Sequence, residues 1–288
     1  MGKVLSVSIF KGGAGKTATA VSLASALTSL GAKVLLIDLD QQASATRHVG
    51  LDPDNINPNL YHVFKKQVLP STAIMQLSHG FSIIAGNSLV AAIEEALEEG
   101  DEGMLKDLIS GIKDDFDYII LDSPPGKAML SFNALSAADA LIIPLPAERP
   151  ALDGVQDLLR FVNDVVWEKY NPDLKIMGIL PTMRKKTTTH SASVIGKARQ
   201  IWGDKVFPVE IPETVEFPRA YAAGKPLQNF NPEHEGSLAY LEVAKIVHGI
   251  CYPVDISKKQ EVPTVIEEEI VAPVEAFEEN NQPIYEGN

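Results

Sequence analysis

The sequence predicts an α/β fold, a mainly parallel twisted sheet with helices on both faces, and three observations carry that expectation. The first forty residues run strand, glycine-rich loop, helix, strand. Further short apolar runs alternate with segments long enough for helices, the pattern of parallel strands joined by helical crossovers. The 288 residues are 45% apolar and 22% charged, an ordinary globular balance with enough length for a substantial core.

Val4 to Ile9 is a short apolar run of strand type, and Lys33 to Ile37 is a second. Between them Val21, Leu23, Ala24, Leu27 and Leu30 recur at helical spacing. Gly31 stands where a left-handed residue ends a helix, so a helix is expected from about Gly15 to Leu30. Residues 51–80, with Pro53, Pro58 and Pro70, read as a loop with short helices laid over one edge. Later strands are expected at Phe81 to Ala85, Tyr118 to Leu121, Ala140 to Pro144, Ile176 to Leu180 and Lys205 to Val209. Helices are expected at Ser88 to Glu98, Leu105 to Ile112, Ala151 to Lys169, Ser191 to Trp202 and Glu235 to Gly249, the last closing a domain of residues 1–252. From 253 to 288, prolines at every tenth position alternate with acidic clusters and no period survives, so this segment reads as a disordered tail. Pro263-Thr-Val-Ile-Glu-Glu is echoed by Pro273-Val-Glu-Ala-Phe-Glu-Glu, which suits either a solvated spacer or a degenerate docking repeat.

The net charge of −13 is unevenly spread. The tail holds two bases against nine acids, net −7, whereas residues 181–230 hold eight bases against four acids, net +4. A basic face on an acidic protein is therefore expected. Cys251 stands alone, which excludes an internal disulfide and multi-cysteine metal sites, and it suits a small apolar position near a helix end. No run approaches the roughly 18 apolar residues of a spanning helix. Strand-type sequence begins within five residues of Met1 without a basic leader, so a cytoplasmic protein with no membrane insertion is expected.

Lys11-Gly12-Gly13-Ala14-Gly15-Lys16-Thr17 follows a strand and opens a helix, the context of a phosphate-binding loop. Glycines let the backbone wrap phosphate oxygens, successive N–H groups point inward, and the helix N-terminus adds partial positive charge. Lys16 is placed to reach the β- and γ-phosphates, and the Thr17 hydroxyl to bind Mg²⁺. Asp38 and Asp40 stand at the end of the second strand, where acids face the ligand crevice of a parallel sheet, with turn residues or an N-cap as the lesser alternative. Asp122 ends the apolar run Tyr118-Ile119-Ile120-Leu121 and fits an anchor for Mg²⁺ acting through water.

Phe10 stands where the standard loop carries its first glycine, and Lys11 follows it. In this the sequence resembles the deviant Walker A ATPases of the ParA/MinD group, whose loop reads Lys-Gly-Gly-x-Gly-Lys-Thr. Asp38-Leu39-Asp40-Gln41-Gln42-Ala43-Ser44-Ala45-Thr46 and Asp122-Ser123-Pro124-Pro125 resemble two further motifs of that group, and Glu148 with Ala151-Leu152-Asp153-Gly154 a third, near the dimer face. Ile211-Pro212-Glu213-Thr214-Val215 and Gly224-Lys225-Pro226 resemble segments of its partition subgroup. The resemblance spans residues 3–250 and implies a P-loop NTPase fold, Mg²⁺-dependent ATP hydrolysis and a homodimer in the ATP state. Lys11 would reach the nucleotide of the other subunit, Asp40 would orient the attacking water, Asp38 and Asp122 would support Mg²⁺, and Pro212 would lie by the adenine. Gly12, Gly13, Ala14, Gly15, Lys16, Thr17 and Ala18 would line the phosphates.

Three departures stand out: Ala18 where a second threonine is usual, Gln41 for proline, and Glu213 where arginine is frequent. The first removes a hydroxyl from the α-phosphate, and the third places an acid where base or DNA contact is expected. The resemblance implies a partition or positioning ATPase that binds nonspecific DNA, expected here through Arg184, Lys185, Lys186, Lys197, Arg199 and Arg219. A ParB-like or adaptor protein would stimulate hydrolysis, and the protein would associate with the nucleoid. The alternatives are an ATP-switched scaffold that positions a protein complex without DNA, and a metabolic ligase of the same superfamily.

Overall fold

The structure is a computed structural model that describes residues 2–148 and 150–253. The tail expected at 253–288 lies outside the described residues apart from Pro253. Seven strands form one sheet: β1 (Lys3–Val7), β2 (Val34–Asp38), β3 (Ile74–Gln76), β4 (Ser82–Ile84), β5 (Tyr118–Asp122), β6 (Ala140–Pro146) and β7 (Lys175–Thr182). Their order is β3-β4-β2-β5-β1-β6-β7, and only β3 runs antiparallel. Every residue of β2, β5 and β6 is buried, the mark of strands covered on both faces.

Alternation along the strands divides the core into two layers. Leu35, Ile37, Ile119, Leu121, Leu141 and Ile143 point to one face, and Leu36, Tyr118, Ile120 and Ile142 to the other. The first layer packs under α3 (Leu60–Phe64), α4 (Val90–Ala96), α5 (Met104–Ser110), α6 (Met129–Ala137), α7 (Pro150–Phe161) and α8 (Thr189–Trp202). The second packs under α1 (Lys16–Ser29), α2 (Ser44–His48) and α11 (Glu235–Cys251). Two short helices, α9 (Glu216–Ala222) and α10 (Leu227–Phe230), precede α11. α1 is buried nearly all round because α11 covers the side that the sheet leaves, and the Thr19 and Tyr240 hydroxyls share a buried 2.9 Å hydrogen bond.

The expected strands and helices appear, with three differences. Lys205 to Val209 is not a strand: Val206 makes one bridge to Ile179, and Pro208, lacking an N–H, prevents a ladder. The helix expected over Ala151 to Lys169 is α-helical only to Phe161 and continues as a π-helix over Val162–Tyr170. Within 51–80 the short helices are joined by the edge strand β3. Cys251 closes α11, half-buried. Among the described residues no helix is long and apolar enough to cross a membrane.

Gly50 after α2 and Gly224 after α9 cross at backbone contact, with φ of 81° and 63°. A Cβ on Gly224 would lie 2.6 Å from the Gly50 Cα. Gly224→Ala is therefore expected to lose about 2–4 kcal/mol, the sum of left-handed strain and a backbone clash. Gly249→Ala in α11, where a Cβ meets nothing within 4 Å, is expected to be neutral or stabilising. Urea denaturation of the two variants tests the contrast.

Candidate functional site

The parallel register brings the site together before any side chain is considered. Val7 of β1 and Asp38 of β2 both pair with Asp122 of β5, so three strands end side by side. The loop Ser8–Gly15 leaves β1 at this edge and feeds α1 through Gly15, which is left-handed at φ 83° and offers no side chain to cap the helix. No side-chain cap bond closes the N-terminus of α1 among the described residues, which suits an anion site. Space around Gly12 and Gly13 is open, since a Cβ at either would meet nothing within 4 Å.

Phe10 explains the loop's departure from the standard pattern. Its carbonyl accepts the Gly126 N–H at 2.8 Å, tying the loop after β5 to the phosphate loop, and its ring packs edge-on against Phe161 of α7 at 5.5 Å. Lys127 lies over the same ring at 5.5 Å. Beneath the loop, the buried Ser6 and Ser8 hydroxyls pair at 2.7 Å, Ser8 donates to Ser123 at 2.8 Å, and Ser123 donates to the Val7 carbonyl at 2.9 Å. From the far side of the sheet, the Thr182 hydroxyl donates to the Ala14 carbonyl at 3.4 Å.

Lys16 is buried and donates from Nζ to the Lys11 carbonyl at 3.2 Å. Burial lowers its pKa, while the charges of Asp122 and Asp40 oppose that shift. Asp122 is fully buried, and among the described residues neither carboxylate oxygen has a hydrogen-bond partner. Burial first, then the charge of Asp38, holds its carboxyl well above the usual range; the nearby Thr17 hydroxyl and Lys16 ammonium act in the other direction without making a full hydrogen bond. A buried carboxylate left without a partner is costly, and its donor set suits a cation held directly or through water.

Asp38 is equally buried but occupied. Its Oδ2 accepts from the Thr46 N–H and hydroxyl, both at 2.8 Å, and its Oδ1 accepts from the Asp40 N–H at 3.2 Å. Burial still pushes its carboxyl up to about 6. Asp38 thereby ties α2 and the Asp40 turn to the end of β2. Asp40 itself is half-buried, and its Oδ1 accepts the Gln42 N–H at 2.9 Å. Lys11 is half-buried beside Gly154 of α7, and Ala18 sits one residue beyond Thr17 in the first turn of α1. Pro212 is buried and bridges Arg184 across the end of β7. A cleft of about 380 Å³ opens here, lined by Glu148, Met183, Lys185, His190 and Ser191 among others.

The six bases expected on a nucleic-acid face are mostly answered by acids. Arg184 and Arg199 share Glu210, Lys185 pairs with Glu213, Lys186 with Glu235, and Arg219 with Glu216. Lys197 is exposed and, among the described residues, makes no ion pair. Sequence reasoning assigned no role to Thr46, Thr182 or the serine chain. Thr46 was visible as the end of a motif, whereas Thr182 approaches the loop only through the β6–β7 pairing.

Residues 2–176 match the AAA domain family. Over 254 residues the chain is 34% identical to the sporulation initiation inhibitor protein Soj of Bacillus subtilis, covering 86% of this chain and 98% of that one. It is 33% identical to the chromosome partitioning protein ParA of Myxococcus xanthus over 252 residues, 85% of this chain and 87% of the other. Among solved structures, cobyrinic acid a,c-diamide synthase from Mycobacterium smegmatis, with bound ATP analogue and magnesium, superposes with a TM-score of 0.76. It is 34% identical, with 87% of this chain and 96% of that one covered.

The raised carboxyls give a pH prediction. The unfolded chain ionises near the ordinary carboxylate pKa and the folded chain only above it, so nucleotide- and metal-free protein loses stability as pH rises from about 4 through 6. Asp122→Asn is expected to be more stable than wild type at pH 7 by roughly 1–3 kcal/mol, with the gap closing toward pH 4. Denaturant melts at the two pH values measure this difference.

Proposed function

The chain belongs to the AAA-domain family of P-loop ATPases that includes Soj and ParA, and on that basis we propose that it is an ATP-timed positioning switch. In its ATP state it is a homodimer that binds duplex DNA without sequence preference, and hydrolysis releases it. The observation that carries the nucleotide reading is the Asp122 carboxylate, buried without a partner beside a glycine loop whose helix has no side-chain cap.

The residues present fit ATP and Mg²⁺. Backbone N–H groups over Gly12 to Ala18 and the Lys16 ammonium would hold phosphate, Thr17 and Asp122 would hold the cation with Asp38 supporting its shell, and Pro212 would lie by the adenine. Bound Mg²⁺–ATP supplies a phosphoryl group whose charge is neutralised for attack. Asp40 orients the attacking water, held in its turn by Asp38. Lys11 reaches across the two-fold interface to the partner subunit's nucleotide, which couples assembly to nucleotide state. A ParB-like or adaptor protein carrying the cargo stimulates hydrolysis, and the dimer works on the nucleoid in the cytoplasm.

Arg184, Lys185, Lys186, Lys197, Arg199 and Arg219 are the DNA contacts of this reading. Their pairing with Glu210, Glu213, Glu235 and Glu216 favours a second reading, an ATP-switched scaffold that positions a protein complex without DNA. The likeness to a diamide synthase extends over 87% of this chain, and a shared fold does not assign a substrate.

Retention on random-sequence duplex DNA, at two salt concentrations, with ATP, ADP or no nucleotide, separates the readings. The first expects ATP-dependent retention that falls with salt; hydrolysis without retention in any state supports the scaffold. Lys16→Ala is expected to lower ATP affinity by about tenfold or more. Asp40→Ala is expected to keep ATP affinity while turnover drops roughly a hundredfold, and normal turnover in that variant would remove Asp40 from its assigned role.

A further inference from the structure

We propose that Lys127 is a positioning residue for Lys11, acting through the ring of Phe10, and that this clamp sets how tightly two chains assemble. The inference rests on the reading that Lys11 reaches the partner subunit's nucleotide, and it adds the device that aims the side chain. Lys127 lies on the loop between β5 and α6 and is exposed. Its ammonium stands 5.5 Å from the Phe10 ring centroid and 5.9 Å from that of Phe161, and among the described residues no carboxylate pairs with it.

The rings beneath the ammonium are tied to two helices. Phe10 meets Phe161 of α7 edge-on at 5.5 Å, and Phe161 stacks with Phe132 of α6 at 4.8 Å. Edge-on and stacked rings at these distances attract, and a cation over the faces adds to the attraction. The backbone is held at the same place, since the Gly126 N–H donates to the Phe10 carbonyl at 2.8 Å. Lys127 follows Gly126 directly, so one loop grips residue 10 both by its carbonyl and by its ring.

Lys11 inherits that order. Its carbonyl accepts from Lys16 Nζ at 3.2 Å, and its Cβ lies 3.8 Å from where a Cβ on Gly154 would stand. With the preceding residue gripped as well, the stem of the Lys11 side chain is fixed before any partner arrives. A glycine at position 10, as in the standard loop, has no ring to anchor and leaves the backbone before Lys11 with wider freedom. A lysine that must cross to another chain gives up conformational entropy on contact, and a pre-set stem lowers that cost. One exposed cation–π contact is modest, but a two-fold dimer contains the clamp twice, so its loss counts twice in the assembly constant.

The test is sedimentation of the full chain over a concentration series with Mg²⁺ and a non-hydrolysable ATP analogue, paired with analogue affinity measured on dilute, monomeric protein. Lys127→Met keeps the length of the side chain and removes its charge. It is expected to weaken dimerisation about tenfold while monomer affinity for the analogue and the thermal melt match wild type. Lys127→Arg keeps a cation over the rings and is expected to assemble within about twofold of wild type. Phe10→Leu removes the ring, so adding Lys127→Met to it is expected to cost no further assembly. A tenfold loss that persists in the Phe10→Leu background, or Lys127→Arg as weak as Lys127→Met, would overturn the clamp. Lys127→Met that assembles like wild type would overturn it too and leave the Lys11 reading standing. Wild type that stays monomeric with the analogue bound would overturn both. If Phe10→Leu melts early, the two Lys127 variants alone decide.

Discussion

Asp38 and Asp122 stand side by side at the ends of adjacent parallel strands, fully buried, and this pairing is the constraint on which the rest of the site depends. Two carboxylates in one dry space repel each other and resist ionisation. Asp38 is accommodated by Thr46 and by the Asp40 N–H, so its cost is offset by the turn it builds. Asp122 has no such compensation. A sheet tolerates that imbalance only where its register is rigid, and here strands buried on both faces supply the rigidity. The hydroxyl chain from Ser6 to Ser123 extends it under the loop, and the Phe10 to Gly126 hydrogen bond extends it above.

Local signals in the sequence were enough to locate the first strand, glycine loop, helix and second strand, because each rests on neighbours a few residues apart. The acids were legible for the same reason, being placed at the ends of apolar runs. What could not be read depends on distant partners. α6 has no cap of its own; Glu94 of α4 accepts the N–H groups of Met129 and Leu130 from afar. Strand β3 is three residues long and only half-buried, too short to show a period. Lys205 to Val209 has strand-like composition, and Pro208 undoes it. Asp38 and Asp122 look alike as sequence, and Thr46, brought in by α2, together with the Asp40 N–H, separates an occupied carboxylate from one without a partner among the described residues.

The basic face shows the limit of counting charge along the chain. Residues 181–230 carry a net +4, yet folding sets Glu210 between two arginines and brings Glu235 from α11 to Lys186. Charge density on a surface is a property of the fold. With its bases paired to acids, the face presents mixed charge, which suits a protein partner better than a polyanion.

Assembly of two chains through Lys11 on nucleotide occupancy of this loop, as proposed above, is open to a direct measurement. Sedimentation of the full chain with Mg²⁺ and a non-hydrolysable ATP analogue, compared with Mg²⁺ and ADP, tests it most directly. The expected result is a dimer with the analogue, a monomer with ADP, and a monomer in both for Lys11→Ala with nucleotide still bound. An unchanged mass for wild type in the two nucleotide states would contradict it.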